Sequence, residues 1–333
     1  MNGTTVSCRG DVKAFQRSFT PFIKYRYKYR CCKVSRIKHR YMKIKNYLLL
    51  LLLACLWGPS FMFIKIAVQQ ASPLAISTFR IVIGATILFI ILAIKKASLR
   101  KGTIPWYYFA ISGFLNMALP YSLISWGEQY IDSALAGILN GLTPFFTLFI
   151  TFFWNKEEKL GVYKIIGTLM GFGGLCFLLV PYINTGNLGS VLGIFLVSLA
   201  AASYGLAAVF IKKKLTGLRP LIAPAYQLLY ASFMLLPVFL TFGNPSSLPQ
   251  VDSAFWLAIA SLGFFGTAMA YIVYFKIIER AEASFLTLVT YLMPVISVIL
   301  GIVFLNERIY WNVYAGAALI VLGLFITNQK RVA

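Results

Sequence analysis

Negative charge is nearly missing from this chain. Nine Asp and Glu stand against 31 Lys and Arg in 333 residues, and there is one histidine, His39. Only 12% of the residues are charged, whereas an ordinary soluble domain carries about 25%. No acid falls in the middle of an apolar run, so the mid-membrane carboxylate of a common proton relay is lacking. An enzyme is not expected, because no nucleophile, base and acid gather and the loops are too short for a soluble catalytic domain. The five cysteines (Cys8, Cys31, Cys32, Cys55, Cys176) show neither metal-ligand spacing nor a disulfide framework. No metal and no cofactor are expected. Adjacent Cys31 and Cys32 read as unspecific, with lipidation or redox chemistry as the alternatives.

What fills the chain instead is apolar sequence. It is 59% hydrophobic, with a mean hydropathy of +0.79, more than one water-facing core can enclose. A membrane helix needs about 20 mostly apolar residues. Such runs occur at 46–68, 73–94, 105–127, 132–154, 161–182, 188–211, 221–243, 253–276, 283–305 and 310–328. Short links marked by Pro, Gly, Asn or charge separate them.

The net charge of +22 is unevenly placed. Residues 1–45 hold 13 Lys and Arg with one acid. Cations alternate with tyrosines from Lys24 to Arg30, a pattern that nucleic-acid binders and anionic lipid surfaces both favour. The plainer reading is a disordered basic cytoplasmic tail, or a start of translation at Met42; no nucleic acid is expected. With ten spans and the tail inside, alternate links carry Lys95, Lys96, Arg100 and Lys101; Lys156, Lys159 and Lys164; Lys212, Lys213, Lys214 and Arg219; Lys276 and Arg280; Lys330 and Arg331. That puts 28 of the 31 cations on one side, as the positive-inside rule requires. Both termini are expected in the cytoplasm, in an inner (plasma) membrane.

The chain also repeats itself. Trp57-Gly58, Lys65, Pro73-Leu74 and Arg80 return 147 positions later as Tyr204-Gly205, Lys212, Pro220-Leu221 and Gln227. Tyr121, Pro144 and Glu157 return 150 later as Tyr271, Pro294 and Glu307. Gly167 and Gly174 return 149 later as Gly316 and Gly323. Five spans per copy is an odd number, so the second copy must cross the membrane upside down. Inverted repeats are a recurring plan of secondary transporters, since similar halves facing opposite sides give inward- and outward-open states of comparable energy.

Leu56-Trp57-Gly58-Pro59-Ser60-Phe61 through Lys65, the Ser72-Pro73 turn and Thr78-Phe79-Arg80 resemble the start of an EamA domain. So do Thr143-Pro144 leading to Asn155-Lys156-Glu157, and Pro294 leading to Leu305-Asn306-Glu307-Arg308. Over about residues 45–330 the chain resembles an EamA-type member of the drug/metabolite transporter superfamily. The resemblance implies an all-α integral membrane fold of ten transmembrane helices in two inverted five-helix repeats, 46–182 and 188–328. It also implies a frequent role in exporting amino acids or other metabolites. Tyr204 for Trp57 and Gln227 for Arg80 depart from the pattern in the second copy.

Substrate-binding candidates are polar or breakable positions near mid-membrane. Trp57 and Ser60 flank the Gly58-Pro59 break, and Tyr204 is the echo of Trp57; these either line a cavity or pack helices. Tyr121 and Ser125, with Thr267 and Tyr271, are a second group. Asn140, Thr143, Thr290 and Tyr291 precede Pro144 or Pro294, where a freed carbonyl needs a partner, so they serve either backbone or substrate. Arg80 either attracts a carboxylate or steadies its helix. Lys65 is expected to snorkel to the outer interface. Gly167-Gly171 fits GxxxG and reads as a contact within the monomer rather than a dimer face. The expected activity is a secondary carrier for a small organic metabolite, acting as an exporter by alternating access in membrane lipid, as a monomer or homodimer. It is uncoupled, or coupled through an end residue such as Glu128. The alternative is a flippase for a lipid-linked or amphipathic substrate, which needs a groove open to lipid. A membrane-anchored nucleic-acid binder using the tail is the third class.

Overall fold

The computed structural model describes residues 44–97, 105–154, 162–184, 187–215, 218, 221–278, 289–308 and 310–327, without the side chains of 180–184, 247, 249 and 291. The basic tail up to residue 43, the Asn155-Lys156-Glu157 turn, Arg100, Lys101, Arg219, Arg280, Lys330 and Arg331 therefore lie outside the described residues. The chain divides into two compact units, Met1–Leu49 and Leu50–Ala333. The first is described only from residue 44, where a helix begins. All site residues discussed here belong to the second.

Among the described residues the regular structure is helical throughout, with no strand. The helices are α1 (Ile44–Val68), α2 (Pro73–Ile94), α3 (106–127), α4 (Ser133–Trp154), α5 (Val162–Asn184), α6 (Leu188–Lys214), α7 (Ile222–Phe242), α8 (253–278), α9 (Val289–Leu305) and α10 (Trp311–Thr327). Seven are long and apolar enough to cross a membrane; α9 and α10 contain shorter apolar stretches. The helix left out is α3, whose hydropathy is lowered by Asn116, Pro120, three serines and three tyrosines. That polarity marks where the site lies.

Helix starts follow from local chemistry. Pro73 opens α2 at a position where no N–H is needed, behind Ser72, whose hydroxyl accepts from the Ala75 N–H at 3.3 Å. The same hydroxyl donates to the Gly243 carbonyl at 2.6 Å, joining the α1–α2 turn to the end of α7. Asn187 caps α6 through the Ser190 N–H, and Asp252 caps α8 through the Phe255 N–H. Ile94, Phe153, Phe242 and Phe304 stay exposed on helix flanks, while Leu53, Ile76, Leu88, Phe109, Phe145 and Phe255 are enclosed. Apolar side chains thus face both the interior and the surroundings, as lipid permits and water does not.

Packing pairs α2 with α7, α4 with α9 and α5 with α10, while α1 lies on α8 and α9, and α6 on α3 and α4. The α5–α10 seam is close enough to need glycine. A Cβ on Gly174 would lie 2.8 Å from the Gly316 carbonyl, and one on Gly323 would lie 2.5 Å from the Gly167 carbonyl. The GxxxG stripe therefore serves a contact within the monomer.

Two helices leave the α-helical register. α3 carries a π-helical turn at Phe114–Ala118 and α8 one at Phe264–Met269. Each widens a turn and frees carbonyls that need donors. Ser203 Oγ on α6 donates to Leu115 O at 2.7 Å, and Thr267 Oγ1 donates to Leu262 O at 2.9 Å. Pro120, which has no N–H for the Asn116 carbonyl, follows the first bulge.

Candidate functional site

The α8 bulge receives the one Lys or Arg that is buried among the described residues. Arg80 on α2 is 5% exposed. Its Nε donates to Thr267 Oγ1 at 3.1 Å and a terminal nitrogen donates to the Gly266 carbonyl at 3.3 Å. Its guanidinium carbon stands 4.0 Å from the centre of the Tyr121 ring, a contact worth up to about 2 kcal/mol when shielded from water. Among the described residues no carboxylate pairs with it. Its hydrogen bonds go to neutral acceptors, the Glu128 carboxyl acts on it only electrostatically at longer range, and a carboxylate is the group that satisfies the donors left over.

Aromatic side chains surround this point. Trp57 packs edge-on against Tyr271 at 6.4 Å between ring centres and in a tilted arrangement against Tyr274 at 5.9 Å. Tyr204 lies within electrostatic reach of Tyr121 and Arg80. The Tyr271 hydroxyl accepts from Asn116 Nδ2 and donates to Met117 Sδ, each at 3.3 Å. Asn116 Nδ2 also donates to Gln227 Oε1 at 3.3 Å, and Gln227 Nε2 donates to Ser112 Oγ at 3.1 Å. The α3 bulge thus receives Gln227 of α7 much as the α8 bulge receives Arg80 of α2.

A second polar cluster closes the end of α3. Lys65 Nζ donates to the carbonyls of Glu128 at 2.8 Å and Ile131 at 2.7 Å. Lys65 thus ends on carbonyls at the close of α3 and in the link after it, because the exhausted carbonyls at a helix C-terminus attract a cation. Glu307, in the loop after α9, accepts from the Ser133 and Ala134 N–H groups at 2.8 and 3.1 Å and so caps α4. Glu128, in the loop between α3 and α4, is fully enclosed, and neither carboxylate oxygen has a partner. Burial pushes its carboxyl above the usual carboxylate range, with Lys65 pulling the other way. The carboxyl that sequence spacing places at a helix end is thus as dry as one at mid-membrane.

The structure brings Trp57, Arg80, Tyr121, Tyr204 and Tyr271 together, and places Ser60 beside Gly266 at the same bulge. Ser125 is buried one helical turn past Tyr121. Thr143 Oγ1 donates at 2.8 Å to the Asn140 carbonyl, the one that Pro144 cannot reach, and so serves backbone. The Asn140 amide oxygen is enclosed without a partner. Thr290 lies on α9, away from the α8 bulge in sequence, and the Tyr291 side chain is outside the described residues. Asn116, Ser112, Gly266 and Tyr274 were not singled out by the sequence reading. Asn116 alone carried a signal, as the one amide in the third apolar run. Among the described residues no group of three or more His, Cys, Asp and Glu could hold a metal ion.

Comparison with known proteins accounts for this architecture. The model of the EamA-like transporter family matches the chain twice, over residues 44–180 and 191–329. The uncharacterized transporter YoaV of Bacillus subtilis (strain 168) is 30% identical over 276 residues, covering 82% of this chain and 93% of that protein. YvbV of the same organism is 29% identical, covering 87% and 94%. An uncharacterized transporter of Archaeoglobus fulgidus is 27% identical, covering 86% of this chain and 100% of its own. A solved crystal structure, 19% identical, superposes with a TM-score of 0.61 over 85% of this chain and 97% of that one, which shows a shared fold.

Proposed function

The chain belongs to the EamA-like transporter family, and from that premise we propose that it is a secondary carrier exporting a small organic metabolite, such as an amino acid or a related compound. It works by alternating access between two inverted repeats of five spans, 46–182 and 188–328, with both termini in the cytoplasm and residues 1–45 as a basic tail. The observation that carries this reading is the buried node in which Arg80 meets the α8 bulge and Gln227 meets the α3 bulge. Each bulged helix is clasped by the polar side chain of a helix from the other repeat, so the two repeats meet at an irregular backbone deep in apolar surroundings. Irregular backbone at that depth is tolerated where it lines a substrate path. The reciprocal seam of Gly174 with Gly316 and Gly323 with Gly167 supports the two-fold relation between the repeats.

The residues assigned to substrate are Trp57, Ser60, Arg80, Tyr121, Tyr204 and Tyr271. In this role Arg80 would hold an anionic group and the rings would hold an apolar or aromatic body. Cells overexpressing the protein should tolerate one class of added metabolite better than cells lacking it. Purified protein in proteoliposomes should then exchange that metabolite across the bilayer. Proteoliposomes that exchange none of the metabolites selected by that screen would overturn the reading.

A second reading, movement of an amphipathic or lipid-linked substrate, is favoured by one observation. A groove of about 300 Å³ lies between α1, α8 and α9, and its flanking Phe265 and Phe304 are exposed.

A further inference from the structure

Resting on the carrier reading, we propose that Glu128 is a proton site coupled to the anion site at Arg80, so that the carrier takes up an organic anion together with a proton. The two groups share one face of α3. Beyond its π-helical turn that helix is regular from Leu119 onward, and Glu128 continues it, its N–H donating to the Ile124 carbonyl at 2.9 Å. Tyr121, Ser125 and Glu128 therefore fall on one stripe, spaced i, i+4 and i+7. The Arg80 guanidinium stands over the Tyr121 ring at 4.0 Å. Glu128 follows about 10 Å further along the axis, at a rise of about 1.5 Å per residue. Helical side chains lean toward the N-terminal end of their helix, which for Glu128 is the Tyr121 side.

The surroundings of Glu128 suit a neutral acid better than a charged one. It is 0% exposed, and neither carboxyl oxygen has a hydrogen-bond partner. Lys65 spends its hydrogen bonds on the Glu128 and Ile131 backbone carbonyls rather than on the carboxyl. A buried carboxylate without donors is costly, and a bound proton removes most of that cost. The charged groups that face it are Lys65 from α1, Arg80 from α2 and Glu307 from the loop after α9. Asp132, in the same link, feels the same Lys65 and Glu307. From α6, which packs on Gly127 through Gly193 and Val197, no titratable side chain comes between Leu188 and Ser203. Burial holds the proton on; Lys65 opposes this, Glu307 adds to it and Arg80 opposes it.

Loss of the proton sets a negative charge within reach of the guanidinium, where it competes with an anion. At the effective dielectric of a protein site, a unit charge about 10 Å away changes anion affinity roughly tenfold. Affinity is therefore high while Glu128 is protonated and falls as pH rises through its folded-state value. Coupling is reciprocal, so an anion at Arg80 tightens the proton on Glu128 by the same factor. One anion and one proton thus bind together and add no net charge.

Benzoate is a suitable probe, since it stays ionised above about pH 5.5 and carries an aromatic body. Its binding to the full-length protein in lipid nanodiscs can be followed by calorimetry between about pH 5.5 and about pH 9. The dissociation constant should rise about tenfold as Glu128 loses its proton, and binding should take up protons, read from the dependence of the heat on the buffer. Glu128→Gln should keep the tight value at every pH, and Glu128→Asp should restore a slope. Without benzoate, the infrared band of the protonated Glu128 carboxyl, identified by its loss in Glu128→Gln, should persist to higher pH in Arg80→Gln than in the unaltered protein. A band that titrates alike in both overturns the proposal. So does an affinity of the unaltered protein that ignores pH, or a failure of benzoate to bind, since an anion site is the other half of the pair. A pH dependence that survives Glu128→Gln overturns the assignment to Glu128. If any of these occurs while proteoliposomes still exchange the metabolite of the tolerance screen, the coupling fails and the carrier reading stands. Proteoliposomes that exchange nothing overturn the carrier reading, and the coupling with it.

Discussion

Arg80 and Gln227 hold equivalent places in the two copies and solve the same structural problem with different chemistry. Each leaves its own helix to clasp a π-bulged helix, Arg80 at Gly266 and Thr267, Gln227 at Ser112 and Asn116. The amide is satisfied at both ends by neutral partners. The guanidinium has neutral hydrogen-bond partners too, but it keeps a charge and spare donors, with the Glu128 carboxyl acting on it only at longer range. Repetition therefore supplies the scaffold, and one difference in residue type puts a charge into half of it. The same contrast recurs at the ends of the bulged helices: Glu128 follows α3, and 150 positions on its counterpart is Ile278. On the carrier reading proposed above, both inequalities would make the two halves respond differently.

The severest way to break the comparison is to make the halves alike. Arg80→Gln gives both bulges an amide clasp, so the fold should survive. A charge-assisted contact to a carboxylate is worth about 1.5–3 kcal/mol, so KM for an anionic substrate should rise roughly 10- to 100-fold. Flux measured against concentration checks this, and an unchanged KM would remove Arg80 from the site.

Gln227→Leu attacks the neutral clasp instead. It leaves Ser112 and Asn116 each short of a partner, which should cost about 1–3 kcal/mol of stability. Denaturant unfolding reads that loss. Affinity for an anion should move far less than in Arg80→Gln, and a larger change in affinity would reverse the roles given to the two residues.

Glu128 tests the other inequality through pH. The unfolded chain releases this proton near the ordinary value of 4.5, whereas the folded chain keeps it to higher pH because the carboxyl is buried. Between those two values the unfolded state binds fewer protons. Stability therefore falls as pH rises through the window, by about 1.4 kcal/mol per pH unit at most, and returns as pH falls. Glu128→Gln should remove that slope and be the more stable form at neutral pH. Thermal unfolding from pH 4.5 to 8 distinguishes the two, and identical slopes would sink the argument.

The smallest effect sharpens the Arg80 side. Tyr121→Phe keeps a ring face under the guanidinium and should change anion affinity little. Tyr121→Leu loses that face, at a cost of about 1 kcal/mol. Equal effects of the two variants would assign Tyr121 to packing.

Much of this was legible in residue order. The apolar runs set the helices to within a few residues, as in α2, read as 73–94 and found at Pro73–Ile94. Trp57, Arg80, Tyr121 and Tyr271 could be singled out because a charge or polar ring in an apolar run is costly to bury. Three outcomes were not legible. Lys65 found the Glu128 and Ile131 carbonyls because packing brought that distant helix end within its reach. Thr143 turned to backbone because the Asn140 carbonyl had lost its donor to Pro144. Gly266 came to need the smallest residue only once Ser60 had been packed against it.

Sequence alone determined the apolar spans, the doubling of the chain and the inequality of Arg80 with Gln227, because these depend on residue type and spacing. Tertiary structure decided the rest: the two π-bulges, the burial of Glu128 and the gathering of Trp57, Arg80, Tyr121 and Tyr271. A bulge needs side chains on the carbonyls it frees, Thr267 from its own helix but Ser203 and Arg80 from others, and a carboxyl is dry only when other helices cover it. Such partners lie tens to nearly two hundred residues away along the chain, where no local pattern records them.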